Sequence, residues 1–171
     1  TPCEITLLVP EGCVVQSGTH VAQISAPAIA LLKAERVLLN YICHLSGIAN
    51  LTARYVQKLA GTDVRLLDTR KTTPGLRWPE KYAIQMGGGT NHRMDLESML
   101  MLKDNHIDAT GSITNAVTML RDRYDPCPPI EVECRTKNDV EEAVSVHVDR
   151  IMLDNMTIEQ LQICLPVIPN T

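Results

Sequence analysis

The sequence lacks any CxxC pair, although it contains six cysteines in 171 residues. Zinc fingers need that spacing, so a zinc-finger fold is excluded. Because a disulfide framework is typical of much shorter secreted chains, we expect these cysteines to be reduced thiols in a cytoplasmic protein. No apolar run reaches the ~18 residues of a transmembrane helix, and no charged start with an apolar core and a cleavage site opens the chain. We therefore expect no membrane partner.

Three further absences exclude or disfavour classes of function. The chain has no surplus of positive charge, and its net charge of -4 argues against a nucleic-acid partner. Residues 5–24 follow the rhythm of biotin- and lipoyl-carrier domains, but they contain no lysine to carry a cofactor. No GxGxxG follows the first strand of the predicted sheet, which disfavours dinucleotide binding. Hydrophobic residues make up 44% and charged residues 21%, as expected of a folded globular domain.

The N-terminal part of the chain predicts short strands and then helices. Residues 5–24 alternate apolar and polar positions around two turns that contain glycine, which predicts antiparallel strands. From Ala28 the apolar period becomes helical. We predict that Ser46-Gly47 breaks this helix and that a second helix runs to Leu59.

One face of the first predicted helix is polar. Lys33, Arg36, Asn40 and His44 recur at steps of three and four residues, so they share one side of the helix. A solvated face is the ordinary interpretation of such a stripe. Contact with another molecule is the alternative, and the spacing alone leaves both open.

From residue 64 onward, strand-like and helix-like segments alternate. The predicted strands are VRLLDT, MLMLK, PIEVEC and RIMLD, at residues 64–69, 99–103, 129–134 and 150–154, and the predicted helices lie near 76–86, 112–123, 137–146 and 157–163. Such alternation is typical of right-handed βαβ units with a parallel sheet. The sequence therefore predicts an α/β fold, as part of a β/α barrel or as a doubly wound sheet.

Each of these predicted strands ends in charged or polar residues. They are Asp68 to Lys71, Lys103 to His106, Glu131 with Glu133, and Asp154 with Asn155. The carboxyl ends of parallel strands open onto one face, where active sites are built. A single strand can end in a charge merely by meeting solvent, but four strands in succession favour a functional site.

The charges at these strand ends are sorted by sign. Residues 69–106 contain six Lys or Arg and four Asp or Glu, although the whole chain carries a net charge of -4. A positive pocket in an acidic protein suits a small, multiply anionic ligand better than a polymer. We therefore predict that Arg70 and Lys71 bind an anion. The carboxylates of Glu133 and Asp154 suit Mg²⁺ or the hydroxyls of a sugar.

Some of these side chains also have structural interpretations. His92 and His106 could be core histidines bonded to backbone. Glu131 and Glu133 face the same side of their strand, so one of them can serve only as support. Cys134 faces the opposite side and is predicted to pack in the core.

Several long motifs occur in a characteristic order. They are AERVLLNYICHLSGIANLT, LDTRKTTPGLRWPEKYAIQMGGGTNHR, LMLKDNHI, IEVEC and IMLDNM. Together they closely resemble the quinolinate phosphoribosyltransferase (decarboxylating nicotinate-nucleotide pyrophosphorylase) family. The resemblance implies an α/β fold with an incomplete α/β (TIM-like) barrel after an N-terminal α/β sandwich domain. We expect the sandwich remnant and a connecting helix at residues 1–45 and the partial barrel at 46–171, in a fragment of a longer chain.

The resemblance also implies a reaction and its site. The reaction converts quinolinate and phosphoribosyl pyrophosphate to nicotinate mononucleotide, pyrophosphate and CO₂ in NAD biosynthesis, with Mg²⁺ as cofactor. The implied substrate-binding residues are Arg36, Thr69, Arg70, Lys71, His92, Arg93, Lys103, Glu133 and Asp154. Of these, Lys71, Glu133 and Asp154 are expected to be catalytic, and Glu133 and Asp154 to hold the metal. A homodimer or higher homo-oligomer is implied, in which Arg36 enters the partner's site.

Two rival functions remain beside this one. The first is a homologue of the enzyme that is associated with molybdate transport and uses a different acceptor. The second is an anion-binding module that has lost catalysis. Release of CO₂ from quinolinate supports the enzyme, whereas tight binding without turnover favours the binding module.

Overall fold

The computed structural model describes residues 3–169 of this mixed α/β protein. The chain divides into two compact units, Thr1–Met94 and Asp95–Thr171. A domain boundary between residues 45 and 46 stays a prediction, because it rests on resemblance and this division follows contacts. In the described part, no helix combines the length and apolar character that crossing a membrane requires.

The first unit begins with a small antiparallel sheet. Strand β1 (Glu4–Leu7) pairs with strand β2 (Ala22–Ser25), in a register that places Leu7 opposite Ala22. Along β2 half-buried and exposed residues alternate, as a strand with one covered face requires. The antiparallel strands predicted for residues 5–24 are therefore confirmed.

Helix α1 (Ala28–Lys58) is a single helix of 31 residues. The predicted break at Ser46-Gly47 is wrong. One glycine in a helix interior costs about 1 kcal/mol relative to alanine, which the flanking turns offset. Apart from Gly47, its chain neighbours and the adjacent helix backbone, no atom of residues 3–169 lies within 4 Å of the position that a Cβ on Gly47 would occupy, so packing does not interrupt the helix there.

Helix α2 (Arg77–Met86) packs against α1 within the first unit. The contact is close at the glycine that ends α2, because a Cβ on Gly87 would lie 2.5 Å from the Ala49 carbonyl oxygen and 2.6 Å from the Thr52 Cβ. Thr52 is the buried residue of α1. The predicted helix over residues 76–86 is confirmed, and the GGG run allows its end to approach α1.

The strand predicted over residues 64–69 is wrong. The segment forms a single parallel bridge between Leu67 and Thr90. Thr90 donates its backbone N–H to the Leu66 carbonyl (2.8 Å) and accepts one from Asp68 (3.2 Å). An apolar run becomes a strand only where a neighbouring strand pairs with it along its length, and this segment has one bridging residue.

The second unit contains a three-stranded parallel sheet, which confirms the predicted strand direction. Strands β3 (Leu100–Leu102), β4 (Ile130–Cys134) and β5 (Arg150–Leu153) lie in the order β3-β4-β5. The register places Leu102 opposite Val132 and Cys134 opposite Leu153. Among residues 3–169 these strands do not close into a barrel.

In the described part of the second unit, four α-helices alternate along the chain with these strands. They are α3 (Asp104–Thr110), α4 (Ile113–Arg123), α5 (Lys137–Ser145) and α6 (Ile158–Cys164), and a 3₁₀ turn (Leu165–Val167) follows. The helices predicted near 112–123, 137–146 and 157–163 are confirmed. Each begins after a hydroxyl side chain that accepts a backbone N–H three residues on, from Ser112, Thr136 or Thr157. Helix α3 was not predicted, because its short sequence carries no apolar stripe.

The core of the second unit forms on one face of β4. Ile130, Val132 and Cys134 are fully buried, and so is Val140 of α5. Residues two apart along a strand share one face, so the core packs against this face, and Glu131 and Glu133 lie on the other. Its buried middle fixes the carboxyl end of the strand, where Glu133 stands.

We predict opposite effects for two glycine-to-alanine substitutions in α1 and after α2. Gly87→Ala should lower the free energy of unfolding by about 1–3 kcal/mol, since the new methyl group overlaps Ala49 and Thr52. Gly47→Ala should raise it by up to about 1 kcal/mol, since the site is helical and open. Urea unfolding of both variants checks this. Equal effects of the two substitutions would contradict the packing described for Gly87.

Candidate functional site

The first cluster of candidate residues is organised by a buried ion pair in the first unit. Lys81 of α2 is 0% exposed, and its Nζ lies 2.5 Å from Oδ1 of Asp68. The Asp68 side chain is 1% exposed. A buried lysine is tolerated only when its charge is paired and hydrogen-bonded. The pair therefore holds α2 against the segment that ends in Asp68.

The same pair also holds the loop that follows the GGG run. Lys81 Nζ donates to the His92 carbonyl (3.0 Å), and Asp68 Oδ1 accepts the His92 backbone N–H (2.7 Å). With its amide oriented to satisfy both atoms, Asn91 donates to Asp68 Oδ2 (2.8 Å) and to the Lys81 carbonyl (2.9 Å). Both backbone groups of His92 are thus fixed by one ion pair.

Two cationic segments are anchored at this point. Asp68 directly precedes Thr69-Arg70-Lys71, and His92 directly precedes Arg93. The Lys71 backbone N–H bonds to Thr69 Oγ1 (3.0 Å), which tightens the first segment, and the Lys71 side chain is exposed. The structure therefore fixes the backbone from which the predicted anion ligands of the first unit extend.

Arg70 carries a donor that the described part of the chain leaves unused. Its side chain is half-buried, and the Nε atom is buried without a hydrogen-bond partner among residues 3–169. A buried guanidinium donor without an acceptor is costly, since it has lost water and gained nothing. An anionic ligand would supply the missing acceptor.

A second anchor lies in the loop after Lys71. Glu80 is buried and accepts hydrogen bonds from His44 Nε2 (2.9 Å) and from the Thr73 backbone N–H (3.1 Å). Burial raises the pKa of Glu80, but the bonds from His44 and Thr73 outweigh it and place the pKa below the usual 4.5. The charged carboxylate therefore ties the loop to α1.

The contact of His44 refines the interpretation of the polar stripe on α1. His44 bonds within its own chain, to Glu80, so it needs no external partner. Lys33 and Arg36 are exposed, and the structure gives Arg36 no hydrogen bond or ion pair with the described residues. Its role in a partner's site stays a prediction.

The second unit places its three candidate residues at the carboxyl ends of neighbouring strands. Lys103 follows β3, Glu133 is the next-to-last residue of β4, and Asp154 follows β5. Lys103 Nζ and Glu133 Oε2 form an ion pair at 2.6 Å. The strand ends thus bring a cation and two carboxylates to one edge of the sheet, as predicted for parallel strands.

Asp154 is fixed by the strand beside it. Its backbone N–H bonds to the Cys134 carbonyl (3.0 Å), and its Oδ2 accepts from the Asn155 side-chain amide (2.7 Å). Asn155 has φ of 52°, in the left-handed region that asparagine tolerates better than most residues. The chain turns sharply after Asp154, which leaves its carboxylate at the sheet edge.

The remaining polar residues of the second unit have structural roles. His106 Nδ1 accepts the Lys103 backbone N–H (3.0 Å) at the start of α3, which confirms a bond to backbone, but His106 is exposed, so its expected core position is wrong. Cys134 is buried in the core as predicted, and burial raises the pKa of its thiol to about 12. Glu131 is buried whereas Glu133 is half-buried, so Glu133 is the more accessible of the two.

Sequence patterns did not predict that Lys81 belongs to this network. A lysine in a helix of mostly polar residues is expected to be exposed to solvent. Its partner Asp68 lies 13 positions earlier in the chain, outside the range of local patterns. The available signal was Asp68, an acid that directly follows the apolar pair Leu66-Leu67, because an acid buried there needs a cation elsewhere in the fold. The site roles predicted for the other residues remain predictions.

Two family models match nearly the whole chain. The model of the quinolinate phosphoribosyl transferase C-terminal domain matches residues 48–171, and that of the N-terminal domain matches residues 1–46. Among curated proteins, a probable nicotinate-nucleotide pyrophosphorylase (carboxylating) of Synechocystis sp. is 49% identical over 90% of this chain and 52% of its own length. The human nicotinate-nucleotide pyrophosphorylase (carboxylating) is 38% identical over 93% of this chain and 54% of its own.

Solved structures agree with these matches. The crystal structure of NadC from Streptococcus pyogenes superposes with a TM-score of 0.89 and 42% identity, covering 96% of this chain and 59% of the other. The nicotinate-nucleotide pyrophosphorylase of Ehrlichia chaffeensis gives a TM-score of 0.89 and 39% identity, over 96% and 60%. The chain spans about half the length of the curated relatives that it matches.

Proposed function

Since this chain belongs to the quinolinate phosphoribosyltransferase family, we propose that the full-length protein makes nicotinate mononucleotide from quinolinate and phosphoribosyl pyrophosphate. Pyrophosphate and CO₂ are the other products, and the step serves NAD biosynthesis. One observation carries this proposal beyond the family match. A buried ion pair anchors two cationic segments in a chain whose net charge is -4.

The cationic segments of the first unit suit a dicarboxylate. Arg70 and Lys71 extend from one anchored segment, and Arg93 extends from the other. Each charge-assisted hydrogen bond to a carboxylate contributes about 1.5–3 kcal/mol, and a guanidinium can form two in parallel. The partnerless Nε of Arg70 supports an anion at this place. Thr69, His92 and Lys103 are proposed as further contacts to the anionic groups of the two substrates.

The reaction needs positioning and charge stabilisation more than a protein nucleophile. The quinolinate nitrogen bonds to the ribose carbon as the bond to pyrophosphate breaks, and pyrophosphate leaves with the electron pair, through an oxocarbenium-like state. The carboxylate next to the new pyridinium then leaves as CO₂. Its bonding electrons stay on the ring carbon, which takes up a proton. Lys71 is proposed to hold the diacid in register for both steps.

The carboxylates of the second unit fit Mg²⁺ by their chemistry. Magnesium in proteins commonly takes one or two carboxylates and completes its shell with water and substrate phosphates. Glu133 and Asp154 offer two at one sheet edge, and no set of three or more His, Cys, Asp or Glu metal ligands was found among residues 3–169. Bound there, Mg²⁺ would offset the charge of the departing pyrophosphate.

A homodimer and an incomplete barrel are proposed for the full-length protein. Helix α1 exposes several large apolar side chains, which a second copy could cover. They include Ile29, Leu32, Val37, Tyr41 and Ile42. Arg36 lies on this exposed helix and is proposed to enter the partner's site.

The three parallel strands are proposed to be part of an incomplete α/β (TIM-like) barrel, in a cytosolic enzyme.

The diacid assignment predicts the kinetics of two variants. Lys71→Ala and Arg93→Ala in the full-length protein should each raise KM for quinolinate at least about tenfold, since each removes a charge-assisted bond. Lys137→Ala, which removes a half-exposed cation paired with Glu141, is the control. Release of CO₂ from quinolinate is the measurement. Unchanged quinolinate kinetics in both variants would refute the assignment, and binding without turnover in the parent would favour an anion-binding module.

The metal assignment predicts a weaker response to Mg²⁺ in two other variants. Glu133→Gln and Asp154→Asn each replace an anionic ligand with a neutral one, so the magnesium concentration for half-maximal rate should rise several-fold. Glu141→Gln, a surface carboxylate of α5, is the matched control. If magnesium titrations of both variants overlay that of the parent, these carboxylates do not hold the metal.

The dimer assignment predicts complementation between inactive variants. A two-fold interface is reciprocal, so each subunit would lend one Arg36 and receive another. Refolding an equal mixture of Arg36→Ala and Lys71→Ala should give about half mixed dimers with one complete site of two, hence about a quarter of parental activity. Mixed dimers that are verified by mass but inactive would show that Arg36 does not act in the partner's site.

A further inference from the structure

We propose that Lys81 and Asp68 are positioning residues, which set the distance and register between the two cationic segments that bind the diacid. The inference rests on the proposed function and adds residues to it, because neither side chain reaches the surface. They act through the backbone of His92 and through the segment that ends at Asp68, directly before Thr69. Their role is to hold Arg70, Lys71 and Arg93 in one arrangement.

The hydrogen bonds of the pair are concentrated on one loop. Lys81 Nζ bonds to the His92 carbonyl at 3.0 Å, and Asp68 Oδ1 bonds to the His92 N–H at 2.7 Å. The Asn91 amide spans Asp68 Oδ2 at 2.8 Å and the Lys81 carbonyl at 2.9 Å. Four directional bonds therefore converge on two residues that stand directly before Arg93.

Stability alone gives little reason for such a pair. Burying two charges costs their hydration, and apolar residues of similar volume often replace a buried ion pair without loss of stability. Apolar residues could not bond to both backbone groups of His92, however. The ion pair adds a fixed backbone at two places, at Asp68 before Thr69 and at His92 before Arg93. A site for a ligand with two carboxylates requires such fixed positions.

Single substitutions in the full-length protein provide the first test. Lys81→Met and Asp68→Asn each leave one buried charge unpaired, so both should lower the unfolding temperature as well as raise KM for quinolinate. This result alone does not separate positioning from folding. The double variant Asp68→Asn with Lys81→Met does, because it keeps similar volumes and leaves no unpaired charge.

In the double variant, the effects on stability and on substrate recognition should differ. We expect the unfolding temperature to recover toward the parental value, while KM for quinolinate stays at least about tenfold raised and kcat changes less. Recovery of both to parental values would overturn the inference, because the pair would then serve stability alone. Failure of the double variant to fold would overturn it too. The pair Lys137→Met with Glu141→Gln, from a half-exposed ion pair of α5, is the matched control and should change neither.

Amide hydrogen exchange tests the positioning role directly, whether or not the protein turns over quinolinate. In the double variant, the backbone amides of residues 90–93 should exchange at least about tenfold faster than in the parent, while those of α5 stay unchanged. Parental exchange rates at residues 90–93 would overturn the positioning role. A parent that releases no CO₂ from quinolinate would refute the proposed function instead. The exchange rates would still show whether the Asp68–Lys81 pair holds residues 90–93.

Discussion

The buried pair of Asp68 and Lys81 is the interaction on which the rest of the first unit depends. Neither charge is tolerable there alone, since both side chains are almost fully removed from water. Each therefore requires the other, and together they join helix α2, the segment that ends at Asp68 and the loop at His92. The loop cannot move independently of that segment. The arrangement of the cationic side chains follows from that constraint.

Around this pair the chain gathers positive charge that its composition does not favour. The carboxylate of Glu80 anchors the loop after Lys71 through Thr73 and binds α1 through His44. Two buried acids thus hold the loops from which cations extend, and neither acid is exposed to a ligand. An anion approaching these segments meets Arg70 and Lys71 rather than the acids that position them. Negative residues inside the fold thereby support a positive surface.

Local patterns in the sequence predicted much of the fold, and long-range pairing decided the rest. The helices that follow Ser112, Thr136 and Thr157 were predictable because their caps and apolar periods lie within a few residues. The strand expected over residues 64–69 was wrong because a strand depends on its neighbour. The placement of Lys103, Glu133 and Asp154 at strand ends was predictable, and their roles stay predictions. The burial of Lys81 was not predictable, since its partner lies 13 positions away.

The location of the bound diacid tests the central claim most directly. A crystal structure of the full-length protein with quinolinate bound would show which side chains contact the two carboxylates. We expect carboxylate oxygens within hydrogen-bond distance of Arg70, Lys71 and Arg93, with His92 still held by the Asp68–Lys81 pair. Quinolinate bound elsewhere, with these three side chains in solvent, would contradict it.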